Sequence, residues 1–237
     1  MIRYSIVIPA FNEAHRLPPY LEEVAEFFDG RGEPYEVLVV DDGSTDGTVA
    51  AVRALAERHP AVRLLLLGRN RGKGAAVRAG MLAASGALRL FTDADGATPI
   101  TELKRLEAAL AAGADVVIGS RVLVDPAVSV RARPHRVAAG RVFNWLVARL
   151  GLRGVADSQC GFKLFTGSAA RALCGALRTE GFAFDVELLL RAQAAGCRIA
   201  EVAVNWADQE GSKVGVLRSG PGMLVQIVRA RWRVRGR

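Results

Sequence analysis

The segment FTDADGATP at 91–99 sets two carboxylates, Asp93 and Asp95, one residue apart behind a short apolar run. Like charges this close repel, and each resists losing its water, so a fold gains nothing from the pair unless a cation or a set of donors stands between them. Alternate residues of an extended segment point the same way, which lets both side chains face one cleft. Carboxylate oxygens together with a diphosphate are hard ligands suited to Mg²⁺ or Mn²⁺. A cation held there relieves the repulsion and acts as a Lewis acid on a diphosphate leaving group. A bare Asp-x-Asp also arises by chance, as a solvated turn with two capping acids, so its weight depends on its surroundings.

Those surroundings are strands and helices in alternation. Residues 4–9, 36–40, 62–67, 88–92 and 116–118 read as near-continuous apolar strands. Residues 18–28, 48–58, 73–84 and 101–112 have helical spacing, the last with Thr101 as N-cap and Glu102 in its first turn. This pattern predicts an α/β fold, a mainly parallel sheet with helices on both faces. In such sheets ligands bind beyond the carboxyl ends of the strands. At those ends stand Asn12 and Glu13, then Asp41 and Asp42, then Arg69, Arg71 and Lys73, then Asp93 and Asp95, all on one rim. After 119 the alternation loosens into a basic loop at 122–136, a helix at 138–152, the polar turn GVADSQCGFKLF, helices at 168–177 and 184–195, a strand at 200–204 and a last helix at 220–234.

Composition narrows the class. The 237 residues are 51% hydrophobic and 24% charged, as in a globular chain with a substantial core. Cys160, Cys174 and Cys197 form neither a metal spacing nor a disulfide framework, which suits a reducing, cytoplasmic setting. The opening residues read as a strand and not a signal peptide, and no window approaches the roughly 18 apolar residues of a membrane span. The net charge of +8 is concentrated at Arg229, Arg231, Arg233, Arg235 and Arg237, and at Arg131, Arg133, His135, Arg136 and Arg141. Such clusters suit phosphate-bearing partners. A dinucleotide fold wants G-x-G-x-x-G after the first strand, where this chain has PAFNEAHRLP; GRNRGKGA is one residue short of a P-loop, although Lys73 at a helix N-terminus still suits an anion.

Taken in order, SIVIPAFNE, VLVVDDGSTDGT, NRGKGAAVRAG and FTDADGATP resemble the donor half of the family 2 glycosyltransferases of GT-A fold. Downstream, IGSR, DSQCGFKLF, FAFDVELLLRAQAAG and VNWADQEGSKV resemble the polyprenyl-phosphate sugar transferases, most of all the dolichyl-phosphate β-glucosyltransferase branch beside the mannose synthases. The resemblance implies one catalytic domain over 1–237, with a donor half at 1–118, an acceptor half at 119–218 and a basic amphipathic helix at 219–237. It implies that Pro9, Ala10 and Glu13 border the nucleotide, that Asp41 and Asp42 accept from base or ribose, and that Lys73 and Gly74 close over the base. Asp93 is then expected at the ribose or sugar and Asp95 on the metal. Arg121 and Arg133 are expected to hold an acceptor phosphate, with Asp157, Gln159 and Lys163 beside the reaction centre and Lys213 approaching the phosphates.

The chemistry supports a phosphate acceptor on separate grounds. An alcohol needs a general base, whereas a phosphate monoester is already ionised at pH 7 and needs positioning and relief of repulsion. Arginines supply both with planar, bidentate geometry. Together with this, the resemblance implies an inverting, metal-dependent transferase moving a hexose, glucose first, from a UDP-sugar to a polyprenyl phosphate. GDP-mannose as donor is one alternative. A soluble acceptor is another, with Asp157 or Asp185 as base, and a non-catalytic nucleotide or nucleic-acid binder is a third. No nucleic-acid motif is present, so no nucleic-acid partner is expected. Two stripes, Val142, Phe143, Trp145, Leu146, Val147 and Leu150, and Leu224, Val228 and Trp232, fit either packing into the core or a dimer contact, or peripheral contact with a cytoplasmic membrane face.

Overall fold

A computed structural model describes residues 1–209 and 216–235, with the backbone alone at 135, 136 and 216–221. The first half follows the alternation: β1 Tyr4–Ala10, α1 Leu17–Asp29, β2 Tyr35–Asp41, α2 Thr48–Arg58, β3 Val62–Leu66, α3 Lys73–Ala83 and β4 Leu88–Thr92. A 3₁₀ turn at Ile100–Glu102 then leads into α4 Leu103–Ala111, and β5 Val116–Ser120 follows. Thr101 therefore lies inside that turn and is not an N-cap; Pro99, extended at ψ 143°, starts it. The second half contributes β6 Val130–Arg131, α5 Pro134–Arg149, β7 Phe162–Thr166, α6 Gly167–Ala176, α7 Phe184–Ala194, β8 Ile199–Ala203, β9 Trp206–Ala207 and α8 Val216–Arg235.

The main sheet has seven strands in the order β3-β2-β1-β4-β7-β5-β8. All pairings are parallel except those of β7, which runs antiparallel between β4 and β5. The parallel expectation holds for the donor half, while β7 emerges from a segment expected to be a polar turn. The turn reading fails because Phe162, Leu164 and Phe165 are buried on both faces of the sheet, and their apolar run is interrupted by Lys163. A short parallel ribbon pairs β6 with β9.

Two apolar layers cover the sheet. Val7, Phe91 and Phe165 face α3, α6 and α7, and Ile6, Leu90 and Leu164 face α1 and α4. Pro9 is tolerated in a central strand because β4 pairs with β1 only along Tyr4–Val7, so no ladder partner on that side misses its N–H. The stripe of α5 is divided between packed and exposed residues, and that of α8 lies mostly outside the core. Met223, Ile227 and Ala230 form the packed face of α8, while Val228 and Trp232 lie outside it and are exposed. On α5, Val147 is buried and Val142 and Trp145 are exposed. Among the described residues no helix is long and apolar enough to cross a membrane.

Candidate active site

The loops after β1 and β2 are stitched together. Asn12 adopts φ 54°, a left-handed conformation that a short polar side chain tolerates. Its N–H donates to Ser44 Oγ at 2.8 Å, its Oδ1 accepts from Thr45 N at 2.8 Å, and Glu13 N donates to Thr48 Oγ1 at 2.8 Å. Glu13 itself takes both Nε and Nη2 of Arg16, at 2.7 and 2.6 Å. Asp41 accepts from the N–H groups of Gly43 and Ser44, and Asp42 from those of Arg71 and Gly72. Both carboxylates are buried. Asp42 thereby fixes the approach to α3. Gly43 is needed there, because a Cβ would stand 2.5 Å from the backbone of Arg69 and φ is +79°.

This scaffold delivers Lys73 to the first turn of α3, with its Nζ 2.6 Å from Asp93 Oδ1. Burial alone would lower the ammonium's pKa, but the carboxylates of Asp93, Asp185 and Asp95 outweigh it and hold the proton more firmly than usual. Asp95 accepts from Ala97 N at 3.1 Å and has Arg16 Nη1 3.9 Å from its other oxygen. Its carboxyl is pushed above the ordinary range, first by burial and then by the charge of Asp93. The repulsion inferred from the sequence is thus present in the fold, on the rim where it was expected. Pro9 and Ala10 end β1 at the same rim, buried in the sheet.

The other wall comes from the segment 157–163. Asp157 is fully buried and takes Arg121 Nε and Nη2 at 2.7 and 2.8 Å, along with the Arg121 N–H at 3.0 Å. Burial would raise the Asp157 carboxyl, yet the Arg121 guanidinium holds it below the usual range. Arg121 also lies over the Trp206 ring, 5.5 Å from its centroid. Gly161 backs the Asp93 carboxylate so closely that a Cβ would fall 2.0 Å from Asp93 Oδ2. Gln159 Nε2 is buried with no hydrogen bond among the described residues.

Several expected site residues sit elsewhere. Lys163 is fully buried, bonded to Asp185 Oδ1 at 2.5 Å and to the Cys160 carbonyl at 2.6 Å, so no acceptor phosphate reaches it. Gly74 faces residues 179–184 and not a nucleotide: its N–H donates to the Glu180 carbonyl at 2.7 Å, and a Cβ would meet Thr179 O at 2.4 Å. Asp157 and Asp185, the two candidate bases, are committed to Arg121 and Lys163. Arg133 is exposed beside Asp208, 3.4 Å away. Lys213 lies outside the described residues, as do the side chains of His135 and Arg136. Sequence reading missed Arg16, although its spacing from Glu13 was a usable signal. It also missed Gly161, Trp206 and the Lys163–Asp185 pair, which depend on contacts between distant segments.

A two-carboxylate rim fits a hard divalent cation. Asp95 carries an unfavourable negative charge and its oxygens are the right ligand type; among the described residues there is no group of three His, Cys, Asp or Glu that could hold a metal by itself.

The glycosyl transferase family 2 model matches residues 5–173. A dolichyl-phosphate beta-glucosyltransferase of Dictyostelium discoideum is 39% identical over 244 aligned positions, covering 98% of this chain and 75% of the relative. One from Drosophila melanogaster is 43% identical, covering 90% of this chain and 69% of the relative. Glucosyl-3-phosphoglycerate synthase of Mycobacterium tuberculosis, solved with Mn²⁺ and UDP-glucose, superposes with a TM-score of 0.72 at 21% identity, over 99% of this chain and 80% of that one. At that identity the likeness concerns the GT-A fold.

Proposed function

The chain belongs to glycosyl transferase family 2, and from that premise we propose that it moves glucose from UDP-glucose to a polyprenyl phosphate of the dolichyl type, inverting the anomeric centre. The observation that carries this reading is the segment 157–163. It backs Asp93 with Gly161 and anchors Arg121 with Asp157, so a carboxylate pair suited to a donor diphosphate and a guanidinium suited to an acceptor phosphate share one wall. The names of the relatives agree with the acceptor, and the UDP-glucose complex of the structural neighbour agrees with the donor.

In this reading an acceptor phosphate oxygen forms a bond to the anomeric carbon as the bond from that carbon to the UDP oxygen breaks. No proton needs removing from the phosphate, which carries about −1.5 to −2 at neutral pH. This fits a site whose two candidate bases are already bound. Arg121, oriented by Asp157 and Trp206, holds the acceptor phosphate, and Arg133 guides it from the exposed loop. Lys73 meets the donor phosphates in place of part of its contact with Asp93. The loops bearing Glu13, Asp41 and Asp42 shape the nucleotide pocket. Asp95 would hold Mg²⁺ or Mn²⁺, which when bound would neutralise charge on the leaving diphosphate. The exposed Trp145 and Trp232, set among arginines, bring the chain to the membrane face where such an acceptor resides.

The test is a transfer assay with radiolabelled UDP-glucose and GDP-mannose, each offered polyprenyl phosphate or phosphoglycerate, with Mn²⁺ or with EDTA. Metal-dependent glucosylation of the lipid is expected. A preference for GDP-mannose moves the chain to the mannosyl branch, and a preference for phosphoglycerate makes the acceptor soluble.

A further inference from the structure

A second cationic site lies at the opposite end of the sheet. Arg89 is on β4, four residues before Asp93, or about 13 Å away along the strand. Its side chain is 1% exposed. Nε donates to the Gly86 carbonyl at 3.3 Å and Nη1 to the Met81 carbonyl at 2.5 Å, at the end of α3. A guanidinium has five N–H donors, and these bonds use two of them. No carboxylate among the described residues pairs with Arg89. The nearest acid in charge terms, Glu36, is taken by Ser5, Ser85 and Arg63.

Arg89 lines a cleft of about 650 Å³ together with Arg171, Ser85, Thr166 and Ser168. The amino end of α6 opens onto it, adding the positive pole of a ten-residue helix. Burial and then the like charge of Arg171 push the Arg89 pKa down. Toward the carboxyl end of α6, Arg78 and Arg89 both act on the Cys174 thiol, which burial raises to about 12. Arg78 Nε is buried without a hydrogen bond. Arg89 and Arg171 thus share this cleft, and neither has a carboxylate partner among the described residues. The Met81 and Gly86 carbonyls take two donors of Arg89 but do not explain why Arg171 is set against it.

We propose that this cleft binds a small phosphate-bearing anion, at a site separate from the catalytic rim. The planar guanidinium forks suit phosphate oxygens, and the volume admits a phosphate monoester of sugar size as well as the bare ion. An anion there would neutralise the arginines and tie β4, α3 and α6 together. Since Asp93 directly follows β4, occupancy stabilises the strand from which the rim emerges.

The experiment follows thermal unfolding of the full chain without divalent metal, titrating inorganic phosphate or glucose 6-phosphate against chloride of equal ionic strength. Phosphate at ten times its Kd is expected to raise Tm by about 3–6 °C. Arg171→Gln, on the exposed side of α6, should fold, keep transfer activity and lose that rise. Arg89→Gln should do the same if it folds, but the case does not depend on it. A larger rise with glucose 6-phosphate identifies a monoester ligand, and an equal one the phosphate group alone; both support the site. No rise in the parent chain overturns it. So does a rise that survives Arg171→Gln, or one lost in Arg121→Gln instead, since that places the anion at the catalytic rim.

Discussion

Two lysine–aspartate pairs lie close together under the same rim with opposite relations to solvent. Lys73 and Asp93, 2.6 Å apart, keep 24% and 33% of their side chains exposed. Lys163 and Asp185, 2.5 Å apart, keep 0% and 5%. The chemistry is alike, but what each pair can do is not. The open pair can exchange one partner for a ligand's phosphate, because water and ligand both reach it. The sealed pair cannot separate without leaving an uncompensated buried charge. It serves as a brace between β7 and α7. A charged residue in this fold is therefore assigned by access and by prior commitments, and its type alone does not decide.

The largest effect should come from the open side. Asp95→Asn is expected to lower kcat about a thousandfold, the scale of losing one preorganised electrostatic contact at a reacting centre. The same change should raise Tm at pH 7 in metal-free buffer. Burial and Asp93 lift the Asp95 carboxyl above its unfolded value, so its ionisation disfavours the folded state. That penalty is absent below the unfolded pKa and grows as pH rises through the folded one. The stability gap between variant and parent should then close on acidification, a trend readable by thermal scans from pH 4 to 8. A variant that keeps parental turnover removes Asp95 from the site.

On the sealed side, Lys163→Met should cost about 3 kcal/mol, lowering Tm by about 6–12 °C, because Asp185 is left buried without its cation. The double change Lys163→Met with Asp185→Leu should recover most of that loss. Turnover per folded molecule, taken from active-site titration, should stay within a few-fold. A selective rise in the acceptor's KM would show instead that Lys163 reaches the phosphate.

Gly161→Ala tests the link between the two regions. The new methyl would displace Asp93, and a shift of roughly 1 Å at a reacting group costs about a hundredfold in kcat. The loss should appear with either acceptor, since the donor side is what moves.

The difference between the regions also explains what could be read in advance. The donor rim follows from local pattern: each apolar strand ends in a polar loop, and in a parallel sheet every such loop emerges at one edge. Asp93, Asp95 and Lys73 were legible on that ground alone. The sealed pair was not, because β7 inserts antiparallel between β4 and β5, and nothing within FKLFT records which strands flank it. Lys163 in an apolar run resembles a ligand-seeking cation until Asp185, 22 residues later, is placed beside it. Gly161 gave no signal, since its reason is a carboxylate 68 residues earlier in the chain. Asp41 and Asp42 stand where β2 ends, as the pattern predicts, but their use of backbone N–H groups depends on turn geometry that residue types do not fix.

The smallest expected effect concerns α8, where one helix has both a sealed and an open side. Met223, Ile227 and Ala230 are packed inward, so the fold does not need Trp232, which is 77% exposed. Trp232→Ser should therefore leave Tm within about 1 °C, as surface changes away from packed features do. An exposed indole among arginines gains on reaching an anionic interface, where its ring sits at headgroup depth and the guanidiniums meet lipid phosphates. Sedimentation with vesicles containing phosphatidylserine should show binding weakened several-fold by Trp232→Ser, and by Trp145→Ser on α5. Vesicles of neutral lipid should bind the parent chain poorly. Transfer to a short, water-soluble polyprenyl phosphate should be unaffected, because neither tryptophan contributes to the rim. If vesicle binding is unchanged while Tm falls, the open face of α8 belongs with the sealed regions after all, covered by protein and not by lipid.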